Sequence, residues 1–157
     1  MTTKPSMLDA VKIQARIVIP IVRALERELG KERAHATIGQ AIADAYANWQ
    51  GSRTPARNTH PREANVAHSF PVESEVVDDT DTAFAINMTR CQFAEYFQEI
   101  GEPEIGALLT CGVDFATQAK LRPNWEFKRT QTLMKGAPYC DFRWRLRGRE
   151  PKGSEHS

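Results

Sequence analysis

The sequence predicts an α+β fold: N-terminal helices packed with a small antiparallel sheet of about four strands. Three observations carry that prediction. Apolar residues recur at helical spacing through the first third of the chain, a pair of alternating segments surrounds a turn in the middle, and a second such pair closes the sequence.

Val11, Val18, Ile21, Val22, Leu25 and Leu29 mark the first helix, and Ala34, Ile38, Ala41, Ile42, Ala45 and Trp49 the second. Ser6, with Asp9 three residues on, is an N-cap pattern. Gly30 and Gly51 are the expected stops, and Pro20 is a site for a kink because it has no amide to donate. Gly51–Pro61 has no apolar periodicity and reads as a loop. Glu73–Val77 and Ala83–Thr89 alternate around Asp78-Asp79-Thr80-Asp81 and predict a hairpin. Thr89 with Gln92 reads as a capping box opening a helix through Phe93, Phe97 and Ile100 to Gly101. Pro103 opens a further helix, bent near Gly112 and broken by Arg122-Pro123-Asn124. Trp125–Met134 and Tyr139–Arg147 are the last two strands, joined by Lys135-Gly136-Ala137-Pro138. Residues 1–147 are expected to form one domain, with 148–157 a flexible polar tail.

The composition fits an ordinary globular domain: 157 residues, 41% hydrophobic and 26% charged, with net charge +1. A chain of this length buries roughly 70% of its unfolded surface, enough for a core and an enclosed pocket. The near-neutral balance argues against a nucleic-acid partner, which calls for excess Lys and Arg. Ile17–Ala24 is interrupted by Pro20 and Arg23 and is too short to span a membrane. No secretory leader is visible at the N-terminus, and Cys91, Cys111 and Cys140, odd in number and widely spaced, suit reduced thiols in a cytoplasm.

Charge is segregated along the chain. Glu73–Glu104 holds nine acids against Arg90 alone, and Lys120–Arg149 holds nine bases against Glu126 and Asp141. The two stretches could be complementary surfaces within one fold or between subunits of a homo-oligomer, or the basic one could form a pocket for a small anion.

Period-two alternation places Cys140, Phe142, Trp144 and Leu146 on one face of the last strand. The same parity on the preceding strand aims Arg129 and Gln131 inward with Trp125 and Phe127. A buried guanidinium needs a partner, so Arg129 either faces a pocket or makes an internal ion pair, with Asp114 a candidate. Cys111 and Asp114, three apart on a helix, share a face, and with Cys140 and Arg129 they would bring two thiols, a carboxylate and a guanidinium together. That set could attack an electrophilic carbon while holding a substrate carboxylate, although each cysteine could equally be a packing residue. Cys91 stands at a helix start, where the dipole favours a thiolate and Glu95 opposes it. His68, beside Phe70 and Val72, is a better acid–base candidate than His60. Metal ligation by some of Cys91, Cys111, Cys140, Asp114 and His68 has no supporting ligand spacing, and no phosphate loop, nucleophile elbow or dinucleotide fingerprint calls for a cofactor.

Asn87-Met88-Thr89-Arg90-Cys91, Ala94-Glu95, Gly101, Pro103-Glu104, Cys111, Asp114, Phe127 through Leu133, Gly136 and Cys140-Asp141-Phe142-Arg143 together resemble the L-2-amino-thiazoline-4-carboxylic acid hydrolase family. The resemblance covers Asn87–Arg143. It implies hydrolytic opening of a cyclic C–N or amidine-type bond in a small carboxylated heterocycle. It also implies that Cys111, Asp114, Arg129, Thr132 and Cys140 belong to the region that sets the site; the expected catalytic groups are Cys111, Asp114 and Cys140, with Arg129, Thr132, Gln131 and His68 binding substrate. Gly136–Phe142 also resembles the vinyl-4-reductase type of small-molecule-binding domain. A non-catalytic binding module and a metal-dependent hydrolase are therefore the alternatives.

Overall fold

The computed structural model describes residues 5–53, 58–64 and 70–148. Helix α1 spans Met7–Leu29 and α2 spans Lys31–Arg53. The Ser6 side chain accepts from the Asp9 amide while the Asp9 carboxylate accepts from Ser6, so the capping box forms as expected. Gly30, at φ 81°, turns the chain between the helices. Two expectations shift: α1 runs on through Pro20, which faces solvent, and α2 continues two residues past Gly51. Tyr46 donates to Gln14 and His35 contacts Glu26, so α2 folds back along α1.

Strands β1 (Val72–Asp79), β2 (Ala83–Cys91), β3 (Trp125–Lys128) and β4 (Cys140–Leu146) form one antiparallel sheet in the order β1-β2-β4-β3. β1 is an edge strand, almost wholly exposed, and its acids discourage pairing with another chain. Large buried residues pair across the two inner strands, Phe84, Ile86 and Met88 standing opposite Trp144, Phe142 and Cys140, and half-buried Phe127 of the edge strand β3 stands opposite Trp144.

The helical stretch between β2 and β3 departs from the expected pattern. Thr89 and Gln92 form no capping box, because β2 runs on to Cys91, which itself caps α3 (Gln92–Glu99). Pro103 opens α4 (Pro103–Gly106) as expected, and the chain passes through a π turn at Ala107–Cys111 before resuming as α5 (Val113–Leu121). The bend expected near Gly112 is this change of helical pitch. Gly106 packs against Phe97, which is fully buried, and a Cβ at Gly106 would overlap the Phe97 ring.

The last hairpin also differs. β3 stops at Lys128 rather than Met134, and residues 129–139 form a loop that contains a 3-10 turn at Leu133–Lys135, so Lys135–Pro138 is not a tight two-strand connection. The reason is Asp141, whose carboxylate accepts from the amides of Thr130 and Gln131 and from the Thr130 hydroxyl, withdrawing those groups from any ladder. Residues 149–157, most of the expected tail, and 54–57 of the expected loop lie outside the described residues.

Two apolar clusters result. One joins Val11 and Ala15 of α1 with Phe93, Ala94, Phe97, Leu109 and Met134; the other covers the helix-facing side of the sheet with Phe84, Ile86, Met88, Trp125, Cys140, Phe142 and Trp144. Leu133 packs against both, which sets the loop after β3 at the seam between them.

Candidate active site

The seam collects the chemically active groups. Arg129 leaves the end of β3 with its side chain 7% exposed and ion-pairs through Nη1 with Asp114 on α5, while Nη2 donates to the Cys111 carbonyl at 3.0 Å. Its guanidinium lies over the rings of Phe115, at 5.1 Å, and Phe142, at 5.4 Å. The internal pair with Asp114 is thus the partner a buried guanidinium requires.

Asp114 is held differently from its partner, with 30% of its side chain open. Burial pushes its carboxyl up to about 6, against the opposing pull of the Arg129 charge and hydrogen bond. The carboxyl is therefore partly open to solvent while its packing still raises it.

The three thiols are gathered at the seam by different elements. Cys91, capping α3, and Cys111, in the π turn, pack against the helical cluster, whereas Cys140, opening β4, belongs to the sheet cluster. Their charges act on one another and on Asp114 and Arg129: Cys140 is influenced by Cys91, Arg129 and Asp114, and Cys111 by Arg129, Asp114 and Cys140. All three are shifted upward. Burial pushes Cys111 up to about 12, with Arg129 and the Thr110 hydroxyl pulling back. Burial also raises Cys140, whose Sγ accepts from the Leu133 amide at 3.2 Å. At Cys91 burial outweighs the amides of Ala94 and Phe93, so the helix start yields no low thiol.

Thr132 and Gln131 sit in the loop beside Cys140. Thr132 is buried, and its hydroxyl accepts from the Lys135 amide as a cap; Gln131 donates through Nε2 to the Tyr139 carbonyl at 3.0 Å. The inward parity expected for Gln131 lapses with the end of β3, whereas Arg129, one residue beyond the strand, keeps it. His68 lies outside the described residues. His60 is fully engaged, with Nε2 2.7 Å from the Thr80 carbonyl and Nδ1 accepting from Arg62 Nε at 2.9 Å. Among the described residues no group of three or more His, Cys, Asp or Glu is placed to hold a metal ion, and no helix is long and apolar enough to cross a membrane.

Sequence reasoning missed Asp141 and Phe115. Asp141 builds the loop that carries Thr132 and Leu133. Its carboxyl is lowered even though burial pushes it up, because Thr130 and Gln131 donate to it. The alternating side-chain pattern put it on the outer face and gave no hint of that role. Phe115, next to Asp114, covers Arg129, and no spacing rule singles it out.

An α+β domain that encloses a guanidinium and the Cys140 thiol, with two half-buried thiols and a partly open carboxylate beside them, defines the class. The chain belongs to the L-2-amino-thiazoline-4-carboxylic acid hydrolase family, whose model matches residues 10–144. No curated protein matches the sequence. Among solved structures, the phenol-responsive sensory domain of the transcription activator PoxR, bound to phenol, is similar over 81% of this chain and 71% of that one, at 11% identity and a TM-score of 0.46. Trafficking protein particle complex subunit 3 from Naegleria fowleri, covalently bound to palmitic acid, is similar over 88% and 99%, at 12% identity and a TM-score of 0.44.

Proposed function

We propose that this protein hydrolyses a cyclic C–N bond in a small carboxylated heterocycle of the 2-amino-thiazoline-4-carboxylate kind. The observation that carries the reading is the Arg129–Asp114 pair at the seam, one partner enclosed between aromatic faces and the other partly open with its carboxyl raised to about 6. The family membership agrees with it.

In this mechanism the substrate carboxylate takes Arg129 as its counter-ion. Asp114, as carboxylate, removes a proton from a water molecule whose oxygen bonds to the ring carbon lying between the heteroatoms. The π electrons of the ring C=N bond pass to nitrogen, which takes that proton from Asp114. The C–N bond of the tetrahedral adduct then breaks with its electron pair on nitrogen, the carbon hydroxyl becoming a carbonyl as Asp114 carries its proton to the same nitrogen. One water is consumed and the opened product carries a free amine. Thr132 and Gln131 shape the wall beside Cys140, and the raised thiols present neutral, polarizable sulfur to the ring.

One contact favours a second reading in which Cys140 is the nucleophile. The Leu133 amide aimed at its Sγ would support a thiolate formed when Asp114 takes the thiol proton. Attack on the ring carbon pushes the C=N π electrons to nitrogen, which takes the proton held by Asp114. The ring C–N bond then breaks with its electron pair on nitrogen and a proton from the exocyclic amine, leaving a thioether-linked adduct. Water deprotonated by Asp114 adds to that carbon and expels Cys140 as a thiolate that takes the proton back. Substitution separates the routes. Asp114→Asn should lower kcat/KM by roughly a hundredfold or more in both, and Arg129→Met should raise KM more than it lowers kcat. Cys140→Ser abolishes turnover only if the sulfur attacks. If Cys111→Ser and Cys140→Ser both keep near-normal rates with an intact fold, thiol chemistry is wrong; if Asp114→Asn keeps them, the whole assignment is.

A further inference from the structure

Helix α1 is apolar on two sides. Val11, Ala15 and Val22 are buried in the core. Across the helix from them Ala10, Ile13, Ile17, Pro20 and Ala24 recur at steps of three and four residues, the seam spacing of a coiled coil. Ile13 is 55% exposed and Ile17 61%, and Ile21 beside them is 49% exposed. Among the described residues nothing covers this stripe: α2, which meets α1 through Tyr46 and Gln14, leaves the three isoleucines largely in water. A helix apolar all round belongs inside an assembly, and exposed isoleucines on successive turns of one face mark a contact surface.

The flanking charges name the occupant. Asp9 and Arg27 stand eighteen residues apart, five helical turns, so both lie on the same edge of the stripe, the acid at its start and the base at its end. Both are exposed. The Ser6 amide and hydroxyl both donate to Asp9 Oδ2, which leaves Oδ1 open, and Arg27 has no ion-pair partner among the described residues. A second copy of α1 laid antiparallel about a two-fold axis reverses the order of the charges, so each Arg27 comes opposite Ala10 and Asp9 of the other helix. In the same register Ile17 stands opposite Pro20 and Ile13 opposite Ala24, a large residue against a smaller one in each apolar layer. Arg16 lies a quarter-turn off the stripe and keeps its head in water. The face is thus complementary to its own copy in both shape and charge.

We propose that the outer face of α1 joins two copies of this chain into a homodimer, with the helices antiparallel and Arg27 of each copy paired with Asp9 of the other. The stripe from Ala10 to Ala24 is about 21 Å long. That is a contact at the small end of specific interfaces, so the dimer is a reversible one. The contact lies on the side of α1 away from the Arg129–Asp114 seam, and the inference does not depend on what that seam does.

Sedimentation equilibrium of the full chain, over a wide range of concentration up to millimolar, tests it. The expected result is a reversible monomer–dimer equilibrium, weakened about a hundredfold or more by Ile17→Glu. That substitution enters the contact twice, and because Ile17 is exposed in the single chain the fold is kept, which circular dichroism checks. Arg27→Glu sets like charges opposite each other and should weaken the dimer about tenfold at low salt, with part of the loss recovered at high salt. Val77→Glu, at an equally exposed position on β1, should leave the dimer unchanged. A chain that stays monomeric throughout overturns the proposal, including one that binds phosphatidylcholine vesicles through the stripe instead. So does a dimer as tight as before in Ile17→Glu or Arg27→Glu, or one lost equally in Val77→Glu.

Discussion

At Asp114 burial and a neighbouring cation act on one carboxyl in opposite directions, and burial wins, taking it up to about 6. A base with that titration is ionised at neutral pH and protonated in mild acid. We therefore expect kcat/KM to rise as pH passes upward through about 6 and then level off, with the rising limb lost in Asp114→Asn; a flat profile across that range in the native chain would remove Asp114 as the base. The thiols give the opposite expectation. Cys111, pushed up to about 12, is protonated at pH 7, so iodoacetamide should label it more than about tenfold slower than a free cysteine when followed by mass spectrometry. Rapid labelling at neutral pH would show that the thiol is not held as described. At this scale much was readable in advance. Strand parity pointed Arg129 inward and charge economy named Asp114 as its candidate partner, because a buried guanidinium has few acceptors to choose from. The state of the thiols was not readable: it depends on how deeply each is packed, which spacing does not record.

The elements between β2 and β3 decide where these groups lie. Gly106 lets α4 approach α3 so closely that no Cβ fits against Phe97, and the π turn that follows carries Cys111, whose carbonyl meets Arg129. Gly106→Ala should cost about 1–3 kcal/mol through overpacking of a core that cannot yield, read as a lower urea midpoint with unchanged slope. A loss below about 0.5 kcal/mol would mean that Phe97 moves aside freely. Helix starts and stops were readable where they rest on local chemistry: Ser6 with Asp9, Gly30, Gly101 at φ 74°, and Pro103 at a first turn. They failed where a longer-range partner intervenes. Pairing with β1 carries β2 past Thr89, and Asp141, eleven residues downstream of Thr130, ends the useful alternation of β3. Neither effect is present in the local sequence.

Across the whole molecule, the two charged stretches do not neutralise one another. Among the described residues the acids of Glu73–Glu104 pair with Arg90 of their own stretch and with Arg23, Lys31 and Arg62 from earlier in the chain. The basic stretch keeps its own partners, Arg129 with Asp114 and Lys128 with Glu126. Most of these pairs are exposed and contribute little stability; the enclosed Arg129 is the one base of its stretch ion-paired inside the seam. Charge pairing therefore does not join the two stretches, whose strands β2 and β4 nonetheless lie side by side in one sheet, and the α+β architecture follows from apolar periodicity instead. The claim that joins these scales is that the seam adds water to a ring. Turnover of 2-amino-thiazoline-4-carboxylate in ¹⁸O-labelled water, followed by mass spectrometry, tests it directly. The account predicts a ring-opened product heavier by one water, with the labelled oxygen on the former ring carbon and a new free amine, and no such product from Asp114→Asn. Recovery of unchanged substrate from the native chain, even when it is bound, would contradict it and leave a binding module in place of an enzyme.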